Sequence, residues 1–185
     1  VVKCVVSKGG DFITVDMGRV SFDSEKIPVI GPKREVVNEE FEINGKKYKY
    51  CCATVGNPHC VLPMKEVSEK LAREIGPVIE NMTSLFPNRT NVQLLQVIDR
   101  NNIKIEIWER GAGYTLASGS SSSAAASVAH KLGLCDGDIT VHMEGGDLSI
   151  KISPDYSITM SGPATKVGVY EMSPSVLSQN VPIKM

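Results

Sequence analysis

The sequence has neither an excess of basic residues nor a long apolar run. Its 20 lysine and arginine residues stand against 21 aspartate and glutamate residues, which gives a formal net charge of −1. Nucleic acids and anionic membrane surfaces are bound by basic patches, so neither partner is expected. No apolar segment reaches the roughly 20 residues of a membrane-spanning helix, and no signal-peptide pattern is visible. We therefore expect a cytoplasmic protein.

Cysteine is scarce and poorly spaced for structural roles. The five cysteines are Cys4, Cys51, Cys52, Cys60 and Cys135, an odd number without a C-x-x-C pair. A disulfide framework and a zinc knuckle are both disfavoured, and free thiols in a reducing compartment are the default. The sequence also has no phosphate-binding glycine loop and no cluster of metal ligands. We expect neither a metal nor a cofactor, which argues against metalloenzymes and nucleotide-using enzymes.

Most of the chain is predicted to form short strands. Alternation of apolar and polar residues is the main signal, and the dipeptide Asn44-Gly45 favours a hairpin turn. The predicted strands are Asp11–Met17, Glu39–Ile43, Lys46–Val55, Asn91–Ile98, Ile103–Trp108, Ile139–Met143, Leu148–Ile152, Ile158–Met160 and Lys166–Tyr170. An amphipathic pattern predicts a helix over Lys65–Ile79, with its end disturbed by Gly76-Pro77. A polar segment, Ser173–Met185, is predicted to be a loose tail.

A second predicted helix, from about Ser121 to Leu132, has an unusual composition. Small or apolar residues lie nearly all round it, among them a run of three alanines, Ala124–Ala126. A helix without a polar face is normally buried. Since hairpins surround it in the sequence, we predict the α+β class, with an antiparallel sheet rolled around a central buried helix.

The residues at the start of this helix could bind an anion. Ser118-Gly119-Ser120 lies where the first backbone N–H groups of the helix have no partner within the helix. These N–H groups and the helix dipole together favour a carboxylate or a phosphate. The alternative is a well-capped helix without a ligand, since serine is a favoured N-cap residue.

Three other segments carry polar side chains suited to a cleft. Glu109-Arg110 ends a predicted strand, and arginine can hold a carboxylate through two hydrogen bonds. Asn57 and His59 lie in a turn, and histidine can act in acid–base chemistry. Asn91 opens a predicted strand. The alternatives are a solvated or mutually paired Glu109 and Arg110, a structural histidine in a plain turn, and a loop asparagine bonded to its own backbone.

Taken together, these segments resemble a known family. WERGAGYTLASGSSSSAAA resembles the C-terminal active-site motif of diaminopimelate epimerase, GNPHCV its histidine turn, and FPNRTNV its asparagine strand. VDMG near the start and MSGPA near the end fit in the same order. The resemblance extends over almost all of residues 1–170.

The resemblance implies an isomerase that works without pyridoxal phosphate. In this family two cysteines face each other across the α-carbon of the substrate, where one thiolate removes a proton and the other thiol returns one. The substrate is a small amino acid, diaminopimelate, a precursor of lysine and of bacterial cell wall. The fold has two similar halves, each a sheet rolled around a helix, with the site between them.

Family roles can be carried over to matching residues of this chain. Asn57, Asn91 and Arg110 match positions that hold the distal carboxylate of the substrate. Glu109 matches the group that meets the reacting amino group, and His59 lies near the catalytic centre. The helix-start positions that hold the α-carboxylate through their N–H groups correspond here to Gly119 and Ser120. The second catalytic cysteine corresponds to Ser118.

The chain departs from the family pattern at these motifs. Ser118 stands at the cysteine position, Tyr114 replaces a usual glutamate, and Ser121 and Ser123 replace glycine and cysteine. No motif for the first catalytic cysteine is present. A serine hydroxyl is a far poorer base than a thiol and needs an adjacent partner. We therefore expect interconversion of LL- and meso-diaminopimelate as the family activity and an inactive chain in this form.

The same resemblance predicts the domain organisation. Residues 1–17 are expected to be the remnant of an N-terminal half, residues 18–162 the C-terminal domain, and residues 163–185 a return strand and tail. The expected partners are the small amino acid, the missing N-terminal half and a second copy in a homodimer. The alternatives are a related racemase, isomerase or lyase that acts on another amino acid, and a non-catalytic module that binds carboxylates.

Overall fold

A computed structural model describes residues 2–174 of the chain. Within this range the chain forms eleven strands and two α-helices. The elements in chain order are β1 (Cys4–Ser7), β2 (Phe12–Arg19), β3 (Glu39–Ile43), β4 (Lys46–Thr54), β5 (Pro58–Met64), α1 (Glu69–Glu80), β6 (Asn91–Asp99), β7 (Asn102–Glu109), β8 (Gly113–Thr115), α2 (Gly119–Lys131), β9 (Asp138–Met143), β10 (Gly146–Ile152) and β11 (Ser157–Pro163).

The strands join in one sheet with the order β1-β2-β11-β10-β9-β7-β6-β5-β4-β3, and β8 pairs with β7. Most neighbours are antiparallel, but the β5/β6 and β7/β9 pairs are parallel. A parallel pair needs a crossover connection, and here α1 connects β5 to β6 while α2 lies between β7 and β9. The predicted α+β class is confirmed, and the sheet is mixed where an antiparallel one was expected.

Helix α2 is the centre around which the sheet curves. It contacts β4, β5, β6, β7, β9, β10 and β11. Its residues from Ser121 to Ala129 are all buried, and the small side chains let strands approach it from several sides. The prediction of a buried central helix is therefore correct, although the helix begins at Gly119 rather than Ser121.

Helix α1 packs on the other face of the sheet. Alternate residues of β4 show this arrangement, because Cys51 and Ala53 belong to the core around α2 while Tyr50 and Cys52 belong to the core around α1. Helix α1 continues past Pro77 to Glu80, so the predicted disturbance at Gly76-Pro77 is wrong. The helix begins at Glu69, after its Ser68 cap, which is later than predicted.

The strand predicted over residues 166–170 is wrong. Residues 164–173 contain no helix or strand, and Val167, Val169 and Tyr170 are exposed. Alternating apolar residues predicted the strand, but a strand also needs a neighbouring backbone with which to pair. Of the predicted tail, residues 175–185 lie outside the described residues. Strands β1, β5 and β8 were not predicted, because they are short or begin at a turn signal.

Candidate functional site

The start of α2 presents unpaired backbone donors. Ser118 is the N-cap, and its Oγ accepts from the Ser121 amide at 3.4 Å, while its carbonyl accepts from the Ser122 amide at 3.0 Å. Within residues 2–174, the amides of Gly119 and Ser120 have no acceptor. A pocket of about 270 Å³ lies against Ser118 and Gly119 and is also lined by the turn between β9 and β10. These two amides are thus available for an anion at the start of α2.

Gly119 is required by a close contact with a neighbouring strand. A Cβ placed on Gly119 would lie 2.8 Å from the Sδ of Met160 on β11. No carbon and sulfur atoms pack at that distance, so a side chain here would force Met160 to move. The glycine lets α2 begin directly against the sheet.

A ring of buried and partly buried hydrogen bonds connects β5 and β6 to the start of α2. Asn57 Nδ2 donates to Ser120 Oγ at 3.3 Å, and Asn57 Oδ1 lies 3.0 Å from His59 Nε2. His59 Nδ1 lies 3.3 Å from Gln93 Oε1, and Gln93 Nε2 donates to Ser121 Oγ at 3.0 Å. The ring therefore begins and ends on neighbouring residues of α2 and holds this helix end against two strands.

His59 is neutral in this ring. It is completely buried, and burial lowers its pKa from 6.5 to about 4. A neutral imidazole has a single N–H, so it donates to only one of the two amide oxygens that face the ring. His59 therefore contacts the start of α2 only through Asn57 and Gln93.

Asn91 links Arg110 to β5. Its Oδ1 accepts from the Arg110 backbone amide at 2.9 Å, and its Nδ2 donates to the Pro58 carbonyl at 2.8 Å. Arg110 Nη1 also donates to the Asn88 carbonyl at 2.8 Å. Because Pro58 lies between Asn57 and His59, these contacts bring the three predicted carboxylate-binding residues to the same end of the neighbouring strands β5, β6 and β7, beside the start of α2.

Glu109 and Arg110 are not paired with each other. Among the described residues, the Glu109 carboxylate makes no hydrogen bond or ion pair, and Glu109 is partly buried at the end of β7. The mutual pairing considered from the sequence is therefore absent from the structure. The carboxylate is free to meet a cationic group.

Tyr114 is turned towards the body of the protein. Its hydroxyl donates to Glu106 Oε2 at 2.7 Å, and Lys104 lies 3.2 Å from the other oxygen of the same carboxylate. Burial and, secondarily, this hydrogen bond raise the pKa of the Tyr114 phenol. The tyrosine at the family's glutamate position is thus a poor proton carrier at neutral pH.

The four cysteines on or beside the core strands are not free nucleophiles. Cys51, Cys52, Cys60 and Cys135 are buried, and Cys4 is exposed. Burial raises the pKa of Cys51, Cys52 and Cys135, which keeps these thiols protonated at neutral pH.

Two site residues had no role in the sequence analysis. Gln93 is one, and its signal was a polar residue two positions after Asn91, between the apolar residues Val92 and Leu94 of β6. The other is Glu80, an acidic residue at the C-terminal end of a helix, where the dipole disfavours negative charge. Within residues 2–174, no three His, Cys, Asp or Glu side chains lie where they could hold a metal ion together.

Comparison with known proteins identifies the family. The sequence model described as diaminopimelate epimerase matches residues 51–167. The chain belongs to the diaminopimelate epimerase family. It is 51% identical over 178 residues to "Diaminopimelate epimerase 2" of Nostoc sp., an alignment that covers 96% of this chain and 62% of that protein. It is 40% identical over 156 residues to the "Diaminopimelate epimerase" of Moorella thermoacetica, covering 84% of this chain and 56% of that one. The chain thus spans between half and two thirds of the length of these curated relatives.

Solved structures described as racemases or epimerases share the fold. A structure described as a probable proline racemase, from Agrobacterium radiobacter, matches with a TM-score of 0.65 at 10% identity, over 94% of this chain and 57% of that one. A hydroxyproline epimerase from Agrobacterium vitis matches with a TM-score of 0.64 at 11% identity, over 88% and 53%. These likenesses show the fold only. In the described part of the chain, neither helix is long and apolar enough to cross a membrane.

Proposed function

We propose that this chain forms one wall of an epimerase site for diaminopimelate or a close analogue. The observation that carries the proposal is one continuous set of contacts, from the free amides at the start of α2 through Asn57 and Asn91 to Arg110. These contacts support a site with donors for one carboxylate at the start of the helix and a guanidinium for a second carboxylate at the ends of the neighbouring strands. A substrate with two separated carboxylates fits this arrangement better than one with a single carboxylate.

The helix end is suited to the α-carboxylate. The free amides of Gly119 and Ser120 point out of the positive end of the α2 dipole. Loss of the α-proton delocalises negative charge onto this carboxylate, so these donors stabilise the carbanion more than the ground state. The unpaired carboxylate of Glu109 accepts hydrogen bonds from the substrate ammonium, whose positive charge also stabilises the carbanion.

The distal carboxylate is assigned to Arg110 with the two asparagines. Both groups of the Asn91 amide are already bonded to backbone atoms, to the Arg110 amide and the Pro58 carbonyl. Asn91 retains one N–H for the substrate and otherwise fixes Arg110. We assign His59 a comparable role, because it is buried and contacts the site through Asn57.

Ser118 is proposed to leave one face of the α-carbon without a proton carrier. Its Oγ contacts the Ser121 amide, and within residues 2–174 no titratable side chain hydrogen-bonds it. A cysteine thiol has a pKa near 8.5, which a helix N-terminus lowers, whereas a serine hydroxyl stays protonated without an adjacent base. His59 and Tyr114 do not supply that base, since their hydrogen bonds run to Asn57, Gln93 and Glu106.

The carrier for the opposite face is proposed to come from outside the described residues. The four buried cysteines are enclosed in the cores and cannot reach a substrate at the start of α2. In the family that the sequence resembles, this cysteine lies in the N-terminal half. We therefore propose that the N-terminal half of the full-length protein closes the site, and that activity assays require it.

Equilibrium binding tests the substrate assignment. Calorimetric titration of the full-length protein with meso-diaminopimelate, with lysine and with proline separates the alternatives. Lysine is diaminopimelate without the distal carboxylate, and we expect it to bind at least about tenfold more weakly, the loss of one charge-assisted contact. Tighter binding of proline would favour a racemase for another amino acid. Tight binding of diaminopimelate without any proton exchange would favour a non-catalytic binding module.

A further inference from the structure

Glu80, the last residue of α1, has three hydrogen-bond donors around a buried carboxylate. Oε1 accepts from Arg89 Nη1 at 2.8 Å and from the Gly111 amide at 2.9 Å. Oε2 accepts from Trp108 Nε1 at 2.7 Å. The Glu80 side chain is only 6% exposed. We call these four residues the Glu80 junction.

A buried carboxylate at this location is unfavourable unless hydrogen bonds from its partners offset the free-energy cost. The C-terminal end of a helix carries partial negative charge, and burial removes the hydration of an anion. Capping of α1 does not require Glu80, because the Asn81 amide and side chain bond to the carbonyl of Pro77. The three donors come from other elements, so the junction serves to connect α1 to those elements.

Two of the donors flank the site residues along the chain. Trp108 and Gly111 lie immediately before and after Glu109-Arg110, so Glu80 fixes the turn at both ends. The third donor, Arg89, follows Asn88, whose carbonyl accepts from the Arg110 guanidinium. The junction therefore ties the Glu109-Arg110 turn to its neighbouring loop and both to a helix.

Two residues of the junction have left-handed backbone conformations. Arg89 has φ of 56° and Gly111 has φ of 79°. For a residue with a side chain this conformation is uncommon, and Arg89 is the more strained of the two. Gly111 donates its backbone amide to Glu80, so this contact holds the backbone of the turn directly, whereas Arg89 is held through its side chain.

We propose that Glu80 is a positioning residue that sets the orientation of Arg110 towards the substrate. The inference rests on the proposed function, in which Arg110 meets the distal carboxylate. It assigns Glu80 no contact with the substrate. Removing the junction should therefore weaken recognition of the distal carboxylate selectively.

The test compares Glu80→Gln with Glu74→Gln, an exposed position on the same helix. Glutamine has the same shape but cannot pair with Arg89 as an anion, and its NH₂ must face one of the N–H donors. The first readouts need no ligand. Trp108 is the single tryptophan of the chain, so its fluorescence emission reports on the junction. Amide hydrogen exchange at Gly111 reports on the turn. We expect both to change in Glu80→Gln and neither in Glu74→Gln.

The second readout is the affinity of the full-length protein for meso-diaminopimelate and for lysine. We expect Glu80→Gln to weaken diaminopimelate binding by about 10- to 100-fold, as for a small misplacement of a binding group, and lysine binding by less than about twofold. An equal loss for both ligands, or none for either, would overturn the inference. If Glu80→Gln does not fold, Arg89→Gln removes the ion pair at a half-exposed side chain and should show the same selectivity.

The two proposals fail in different ways. If the unmodified protein binds no diaminopimelate, the proposed function is wrong and the role of Glu80 in substrate recognition is wrong with it. If the protein binds diaminopimelate but Gly111 exchange and Trp108 emission are unchanged in Glu80→Gln, the junction does not hold the turn. In that case the inference about Glu80 is wrong and the proposed function stands.

Discussion

The backbone amide of Arg110 donates to the side-chain oxygen of Asn91, 2.9 Å away. Since Asn91 also bonds to the Pro58 carbonyl, Asn91→Ala leaves one buried donor and one buried acceptor without partners. We expect the free energy of unfolding to fall by about 2–4 kcal/mol. Diaminopimelate binding should weaken as well, because Arg110 loses its support. Urea denaturation and calorimetry measure both effects. Asn101→Ala, at an exposed asparagine, is the control, and equal losses in the two variants would contradict the account.

His59 should make the protein less stable in weak acid. Its folded-state pKa is about 4 against 6.5 when unfolded, so between these values only the unfolded state takes up the proton. Stability is therefore complete above pH 6.5 and falls as the pH drops towards 4, by up to about 3 kcal/mol. Denaturation curves at pH 7 and pH 4.5 measure the loss. The stability of His59→Gln should depend less on pH. If its stability falls as steeply with falling pH as that of the parent protein, a group other than His59 causes the loss.

Tyr114 should resist conversion to the glutamate usual in the family. A carboxylate at this position would lie against Glu106, whereas the tyrosine hydroxyl donates to it at 2.7 Å. We expect Tyr114→Phe to cost about 1 kcal/mol and Tyr114→Glu about 2 kcal/mol or more at pH 7. The difference in stability between the two variants should become smaller below about pH 4, where carboxyl groups are protonated. A difference that does not change with pH would mean that the two carboxylates do not interact.

A methyl group at Gly76 should displace the Trp108 indole. A Cβ on Gly76 would lie 2.6 Å from Cγ of Trp108, so Gly76→Ala must displace the indole that bonds to Glu80. The better helix propensity of alanine, about 1 kcal/mol, offsets part of an overpacking cost of about 1–3 kcal/mol. We therefore expect a small loss of stability and a clear shift of tryptophan emission. Val78→Ala, at an exposed position on the same helix, should leave the emission unchanged.

Local sequence signals predicted the hairpins and the central helix well. The turn at Asn44 and Gly45 has φ values of 51° and 76°, which these two residues adopt more readily than others. The small residues of α2 predicted its burial because they leave it no polar face. Each of these features depends on residues a few positions apart, which a sequence displays directly.

Features that depend on distant partners could not be predicted. The parallel pairing of β5 with β6 is set by where the α1 crossover returns the chain. The strand expected over residues 166–170 had the right alternation but no backbone with which to pair among the described residues. Gln93 contacts His59 from 34 positions away, and Glu80 contacts Gly111 from 31 positions away. The motif residues were recognised by resemblance, whereas these two supporting residues follow only from the structure.

Proton exchange in D₂O tests the central claim that Ser118 leaves one face of the α-carbon without a carrier. The full-length protein is incubated with LL- and with meso-diaminopimelate, and the α-proton signals and the stereochemistry are followed separately. We predict slow exchange with one stereoisomer, no inversion of either, and inversion restored by Ser118→Cys. Brisk inversion with serine in place would contradict the account. Absence of exchange even in Ser118→Cys would show that diaminopimelate is not the substrate.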